Sequence, residues 1–288
     1  MKKLAALCMV LLTVLCLASC KAPEPTQNAG TAIPGLEDGT LTISMECAYA
    51  PYNWTQHDDS NGAVPIKDAA GDYANGYDVM IAKKICEANG WNLEIIRSDW
   101  DSLVPGVQTG LFDAVIAGQS MTEERSEQVD FAGPYYYATI VCVTKKGSKF
   151  ENAKGLKDLA GGSCTAQIAT IWYEDMIPQI EGAVIRPAAE TAGAMLMALE
   201  TGTVDFVCTD MPTAMAACEA YDDMVILDFA GSGDDFDADE GEINIGVSVK
   251  KGNTALVEAI NSVLSKMTVE DFNTIMNSAI EIQPLSEE

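Results

Sequence analysis

From residue 41 onward, short apolar runs alternate with stretches whose apolar positions recur every three or four residues, and this alternation constrains the fold more than any other feature. Residues 41–46 and 93–97 read as strands. Between them Val79, Ala82, Ile85 and Cys86 share one helical face, and Trp100, Leu103, Val104, Val107 and Leu111 predict a second helix before a strand at 113–117. A further series of strands is expected at 138–143, 183–185, 204–207, 224–229 and 243–249. The chain then finishes on two amphipathic helices, one carried by Leu256, Val257, Ile260, Val263, Leu264 and Met267, the other by Phe272, Ile275 and Met276. Apolar strands separated by helices imply parallel βαβ units, and no repeat of solenoid period is visible, so two α/β lobes are expected.

Charge removes several functions from that architecture. The 288 residues hold 43 acidic and 17 basic side chains, a net charge of −26. Lys2 and Lys3 precede a removable apolar run, and without them 15 basic residues remain and the charge is −28. Phosphate binding needs clustered Lys and Arg, so no nucleic acid is expected as a partner, and no basic patch can dock on anionic lipid. A hydrophobic content of 48% excludes disorder for most of the length.

The apolar run at 4–18 is too short to span a bilayer and ends in Leu17-Ala18-Ser19-Cys20. This ending resembles the lipobox of bacterial lipoproteins. It implies a signal peptide over 1–19, lipid such as palmitate on Cys20, and an extracytoplasmic location on the bacterial cell membrane. The alternative is a plain signal peptide cut after Ser19. Residues 20–40, rich in Pro, Gly and polar side chains, read as a flexible tether. Six cysteines follow: Cys47, Cys86, Cys142, Cys164, Cys208 and Cys218. An even number outside the cytoplasm admits disulfides. Cys142, Cys164 and Cys208 lie in apolar strand-like runs, however, which favours buried reduced thiols.

Searches for catalytic and metal chemistry return little. The single histidine, His57, sits in a polar stretch and reads as an exposed loop residue. No CxxC pair exists, so a zinc cage is unsupported. The acidic stretch from Asp235 has Glu240 and Gly246 where a calcium loop needs Gly and Glu, so it reads as solvated loop. Gly231-Ser232-Gly233 lacks the third glycine of a dinucleotide site. No catalytic residue, metal or cofactor is expected.

Only three arginines exist, Arg97, Arg125 and Arg186. Arg125 follows a strand that ends at Gly118, and Ser120 with Glu123 has the spacing of a capping box. A strand end leading into a helix N-terminus favours an anion, and the guanidinium fork matches a carboxylate. The alternative is that Arg125 pairs with Glu123, Glu124 or Asp130 on a solvated face.

The run DAVIAGQSMTEERSEQVDFAGPYY (113–136) resembles the signature of the family 3 extracellular solute-binding proteins, the polar amino-acid receptors of ABC importers. The likeness extends through CAYAPYNW (47–54), NGYDVMIAKKICEANG (75–90), WDSLVPGVQTGLFDAVIAG (100–118) and GTVDFVCTDMPTA (202–214). It implies a two-lobed periplasmic-binding-protein-like fold of type II with two crossover hinge strands. Lobe 1 would comprise 40–137 plus 242–288 and lobe 2 138–241, with crossings near Tyr137-Ala138 and Glu242-Ile243.

The resemblance also implies roles. The α-carboxylate of a free amino acid would be held by Arg125, by N–H groups around Gly118 and Ser120, and by Thr170. The family usually has a Gly-Thr turn at this last place, and Ile168 and Ala169 depart from it. The α-ammonium would pair with Asp210. A zwitterion leaves water only where each charge meets a fixed partner, and partners on opposite lobes would close the cleft. Glu46, Tyr49, Tyr52 and Trp100 would face the ligand side chain. A carboxylate among aromatics suits a cation or an amide donor, so arginine, lysine or histidine is expected ahead of glutamine. The stretch 53–75 reads as a long loop able to reshape the pocket. A monomeric receptor delivering its ligand to a permease follows. A cyclohexadienyl or arogenate dehydratase-like enzyme on the same fold, with Glu46 as acid, and a ligand-sensing module are the alternatives.

Overall fold

The computed structural model of the protein describes residues 33–284. The leader, Cys20 and the tether as far as residue 32 lie outside the described residues. Residues 33–39, expected to be tether, instead pack on the body: Leu36 is buried in the core, and the Asn253 amide donates to the Pro34 carbonyl at 3.0 Å.

The first half of the chain runs β1 (Thr40–Met45), β2 (Ala48–Tyr49), β3 (Asn53–Gln56), β4 (Val64–Pro65), β5 (Tyr73–Asn75), α1 (Tyr77–Asn89), β6 (Asn92–Arg97), α2 (Leu103–Thr109), β7 (Ala114–Val115), α3 (Glu123–Gln128) and β8 (Val129–Tyr136). The second lobe contains β9 (Ile140–Lys145), β10 (Ser163–Thr165), β11 (Val184–Ile185), α4 (Ala192–Glu200), β12 (Phe206–Asp210), α5 (Met211–Ala220) and β13 (Met224–Leu227). The chain returns through α6 (Glu240–Ile243) to β14 (Ile245–Lys250), α7 (Thr254–Leu264) and α8 (Val269–Ile282).

Two five-stranded sheets of the same plan result, ordered β6-β1-β7-β14-β8 and β11-β10-β12-β9-β13. In each, three parallel strands are followed by one that runs against them, β14 or β9, and this pairs antiparallel in turn with the edge strand, β8 or β13. The parallel βαβ expectation therefore holds for three strands of each sheet. β8 and β14, and β9 and β13, complete the sheets because the chain crosses between lobes at 137–139 and again before β14. Every residue of β12 is buried, as expected of a strand covered on both faces. The structure is the two-lobed type II architecture.

Several expectations change in detail. The stretch 53–75 is no loop: β3, β5 and β4 pair with β2 in a small antiparallel sheet ordered β2-β3-β5-β4. The helix expected from Trp100 to Leu111 begins as a 3-10 turn at Trp100–Ser102 and ends at Gly110, whose left-handed φ of 77° stops it and leaves Leu111 exposed. His57 is exposed and lies 3.2 Å from Asp72. All six cysteines within the described residues are free thiols; five are buried and Cys218 is half-buried. Burial pushes the thiols of Cys47, Cys86 and Cys164 up to about 12.

Candidate functional site

The expected site residues gather where the lobes face each other, in two tiers. The outer tier centres on Arg125. It is the third residue of α3, whose cap is Thr122: the threonine hydroxyl accepts the Arg125 N–H at 3.2 Å. The expected capping box at Ser120 and Glu123 is thus displaced, because Ser120 still belongs to the extended chain and bridges Ile245 of β14. The Arg125 guanidinium donates to the Ser120 carbonyl at 2.9 Å and, across the cleft, to the Ala169 carbonyl at 3.0 Å. Its Cζ lies 5.6 Å from the centre of the Trp100 ring, a cation–π distance. Burial lowers its pKa to about 10, which leaves it a cation at neutral pH. None of the acids considered for it on a solvated face is its hydrogen-bond partner.

The Ala169 carbonyl also accepts the Trp100 indole N–H at 3.2 Å. Two donors from lobe 1 therefore converge on one oxygen of lobe 2. Ala169 reaches this position with φ of 54°, a left-handed conformation that costs about 1 kcal/mol or more for a residue with a Cβ. This is the turn at which the sequence departs from Gly-Thr. The next residue, Thr170, is buried, and its hydroxyl donates to the Gln167 carbonyl at 2.7 Å.

A cavity of about 760 Å³ opens beside this tier, with Trp100, Gln119, Arg125, Ala169 and Thr170 in its wall. Asp101, Glu123, Glu124, Glu174, Asp175 and Glu242 also line it. Glu46, Tyr49, Tyr52 and Asp210 lie outside its lining. They form the inner tier, in which the lobes touch directly.

There, Asp210 ends β12 and caps α5: one carboxylate oxygen accepts the Thr213 N–H and the other the Thr213 hydroxyl, both at 3.0 Å. Tyr49, from β2, donates its hydroxyl to Asp210 at 2.6 Å. Asp210 is 1% exposed, and burial raises its carboxyl pKa against these hydrogen bonds. Glu46, 8% exposed at the end of β1, accepts the Gln167 side-chain amide at 3.1 and 3.4 Å. Burial raises its carboxyl to about 7, Gln167 pulls the other way, and Asp99 and Asp101 add to the rise. The Tyr52 ring lies tilted against that of Tyr49, 4.9 Å between centres, and its hydroxyl is the one buried side-chain polar atom among the described residues without a hydrogen-bond partner.

Gly118 contributes differently from expectation. Its φ of 62° favours glycine, and a Cβ there would sit 2.9 Å from the Tyr49 ring and 3.1 Å from the Tyr52 ring. Its N–H, expected to face the ligand carboxylate, donates instead to the Tyr135 hydroxyl at 3.0 Å. Gly118 therefore supplies room for both tyrosines rather than a donor into the cleft. Sequence reasoning also passed over Gln167, the partner of Glu46, and the group behind Gly118 formed by Asn53, Asp78 and Tyr135. The only advance signal for these is a polar residue inside an apolar pattern. Among the described residues no group of three or more His, Cys, Asp or Glu side chains could hold a metal ion. None of their helices is long and apolar enough to cross a membrane.

The model of the bacterial extracellular solute-binding proteins, family 3, matches residues 41–278. A probable histidine-binding protein of Neisseria gonorrhoeae is 25% identical over 263 residues, covering 88% of this chain and 87% of that one. An amino acid ABC transporter substrate-binding protein from Streptococcus pneumoniae, solved bound to L-arginine, is 26% identical with a TM-score of 0.71, over 85% of this chain and 95% of that one. An ancestral amino acid-binding protein described as a precursor of cyclohexadienyl dehydratase shares the fold at a TM-score of 0.68 and 24% identity, over 85% of this chain and 97% of that one.

Proposed function

The chain belongs to the bacterial extracellular solute-binding proteins of family 3, and from that premise we propose that it is the substrate-binding component of an ABC importer for an amino acid with a cationic side chain. The observation that carries this reading is the opposition of charges across the cleft. Arg125 stands on lobe 1 and Asp210 on lobe 2, and Glu46, also on lobe 1, is buried against Gln167 of lobe 2.

Arg125 uses two of its donors on backbone carbonyls and has others for an α-carboxylate. Thr170 stands on the same cavity wall and Ser120 just beneath, under the Arg125 guanidinium. Asp210 takes the α-ammonium in exchange for the Tyr49 hydroxyl, and Glu46 takes the side-chain cation in exchange for Gln167. Each exchange replaces a neutral donor by a charged one on a buried carboxylate, a stronger hydrogen bond. Ligand and lobes then share the same partners, so binding favours the closed cleft. The mature chain is a monomer held to the membrane through lipid on Cys20, and it passes its ligand to a permease.

A thermal-shift panel of the common amino acids tests this directly. A ligand at ~100 times its Kd adds about 2.7 kcal/mol of stability. The basic amino acids should raise the melting temperature most, and a panel without any shift ends the proposal.

One observation favours a second reading. A carboxyl raised to about 7, as Glu46 is, can serve as a general acid. Dehydration of a cyclohexadienyl acid, followed by the absorbance of its aromatic product, distinguishes an enzyme from a receptor. Binding without product supports the receptor.

A further inference from the structure

Asp78 is the second residue of α1 and is 0% exposed. Its partners are uncharged. The Tyr135 hydroxyl donates to one carboxylate oxygen at 2.7 Å, and the Asn53 side-chain amide donates to the other at 2.7 Å. Each partner reaches on to a backbone N–H. Tyr135 accepts from Gly118 at 3.0 Å, and the Asn53 carbonyl oxygen accepts from Cys47 at 2.7 Å. These two amides belong to the two turns that build the cleft wall on lobe 1. Cys47 follows Glu46 and has a left-handed φ of 56°; Gly118, with φ of 62°, leads to Ser120. A single buried carboxylate thus ends two hydrogen-bonded chains, each fixing one unusual backbone turn behind the binding tiers.

An acid in the first turn of a helix is favourable, but that role does not require it to be buried. An apolar side chain could fill the volume without the desolvation penalty, which here is large enough to push the carboxyl up to about 7. What the ionised carboxylate supplies is four acceptor sites and no donor, so both Tyr135 and Asn53 present their hydrogens to it. That choice orients the rest: Tyr135 is left with a lone pair for Gly118, and Asn53 is left with its carbonyl toward Cys47. An amide at position 78, which must turn its nitrogen toward Tyr135 or Asn53, breaks the pattern.

We infer that Asp78 is a positioning residue of the amino-acid cleft, acting through Tyr135 on the Gly118–Ser120 turn and through Asn53 on the Glu46–Cys47 turn. The inference rests on the amino-acid-binding reading. It separates from a merely structural role because the hydrogen-bond pattern can be broken and then rebuilt. In D78N the new amide nitrogen faces a donor whichever way it turns. In N53D/D78N the pattern returns. The amide introduced at position 78 donates to the carboxylate introduced at position 53 and accepts from Tyr135, while that carboxylate also accepts the Cys47 N–H.

The test measures Kd by calorimetry on the full chain at 25 °C, using the amino acid that gives the largest thermal shift with the wild type. Loss of one hydrogen bond in the chain, as in Y135F, should weaken binding about tenfold while the circular dichroism spectrum stays that of the wild type. D78N should weaken it at least as much, and N53D/D78N should recover most of the loss. The Gly118 amide proton should move in the NMR spectrum of Y135F before ligand is added. An unchanged Kd in Y135F, or a double variant no better than D78N, overturns the inference. If the wild type binds no amino acid, the functional reading fails instead, and the Gly118 resonance still decides whether Tyr135 holds that turn.

Discussion

The hydroxyl of Tyr49 and the carboxylate of Asp210 meet at 2.6 Å from opposite lobes, in a contact that 1% exposure of Asp210 leaves almost without water. The same carboxylate caps α5 through Thr213. It therefore has two functions that a substitution can separate. Asparagine caps helices as well as aspartate does. Asp210→Asn should keep the fold, with a melting temperature close to that of the wild type, but it removes the charge that an α-ammonium requires. Losing one partner of a buried charge pair costs about 2–5 kcal/mol, so calorimetry should find binding weakened at least thirtyfold. Wild-type affinity in this variant would remove Asp210 from the site.

Arg125 bonds one carbonyl from each lobe, Ser120 and Ala169, while its ring contact with Trp100 fixes the plane of the guanidinium. Lysine retains the charge but not the fork. Arg125→Lys should therefore bind ligand more weakly by about one to two orders of magnitude, and Arg125→Ala more weakly still. Tryptophan fluorescence gives the second readout, since Trp100 loses its cation in Arg125→Ala alone. Equal affinity in all three proteins rules out a carboxylate clamp at this residue.

The two α/β lobes and the elements with a clear apolar period were legible because burial imposes that period, as at Leu41, Ile43 and Met45 in β1, whereas β8, α4 and α5 were not read. Arg125 stood out for the scarcity of arginine. What could not be read was pairing. Gln167 carries no apolar period and no charge, yet it is the residue that meets Glu46. Nothing in the sequence sets Asp78 apart among the 43 acids, because only the fold brings Tyr135 and Asn53 to it from distant strands. The expected cap at Ser120 failed for a local reason: a Ser/Thr residue starts a helix only where the chain turns, and the turn comes two residues later at Thr122. The stretch 53–75 was misread because its strands are two to four residues long, too short to show alternation.

Glu46 links ligand charge to pH. Its carboxyl stands at about 7, so at pH 6 much of it carries a proton that a cationic side chain must displace. Affinity for such a ligand should rise between pH 5.5 and 8, by up to about tenfold per unit below 7, and level off above. Calorimetry at pH 6.5 in buffers of different ionisation enthalpy should show protons released on binding. Glu46→Gln should abolish the release and weaken a cationic ligand far more than glutamine. A pH-independent affinity in the wild type contradicts the pairing of Glu46 with a cation.

Asp78 and Glu46 together give stability an uncommon dependence on pH. Burial raises the Asp78 carboxyl from 3.8 to about 7 and that of Glu46 from 4.5 to about 7. Between roughly pH 4 and 7 the folded chain therefore binds protons that the unfolded chain has already released. Stability falls as pH rises wherever the native state holds more protons, so each group favours the fold at pH 5 and loses that advantage as pH passes 7. The net charge of −26 acts in the same direction, since protonation relieves repulsion among surface acids. Asp130 and Asp234, lowered by Lys251 and Lys157, act oppositely but only as pH falls below about 4. The melting temperature should thus be higher at pH 5 than at pH 8, and the difference should shrink in Asp78→Asn, whose side chain cannot titrate. Calorimetric scans of both proteins at the two pH values measure the difference, and a wild type that melts higher at pH 8 contradicts the raised carboxyls.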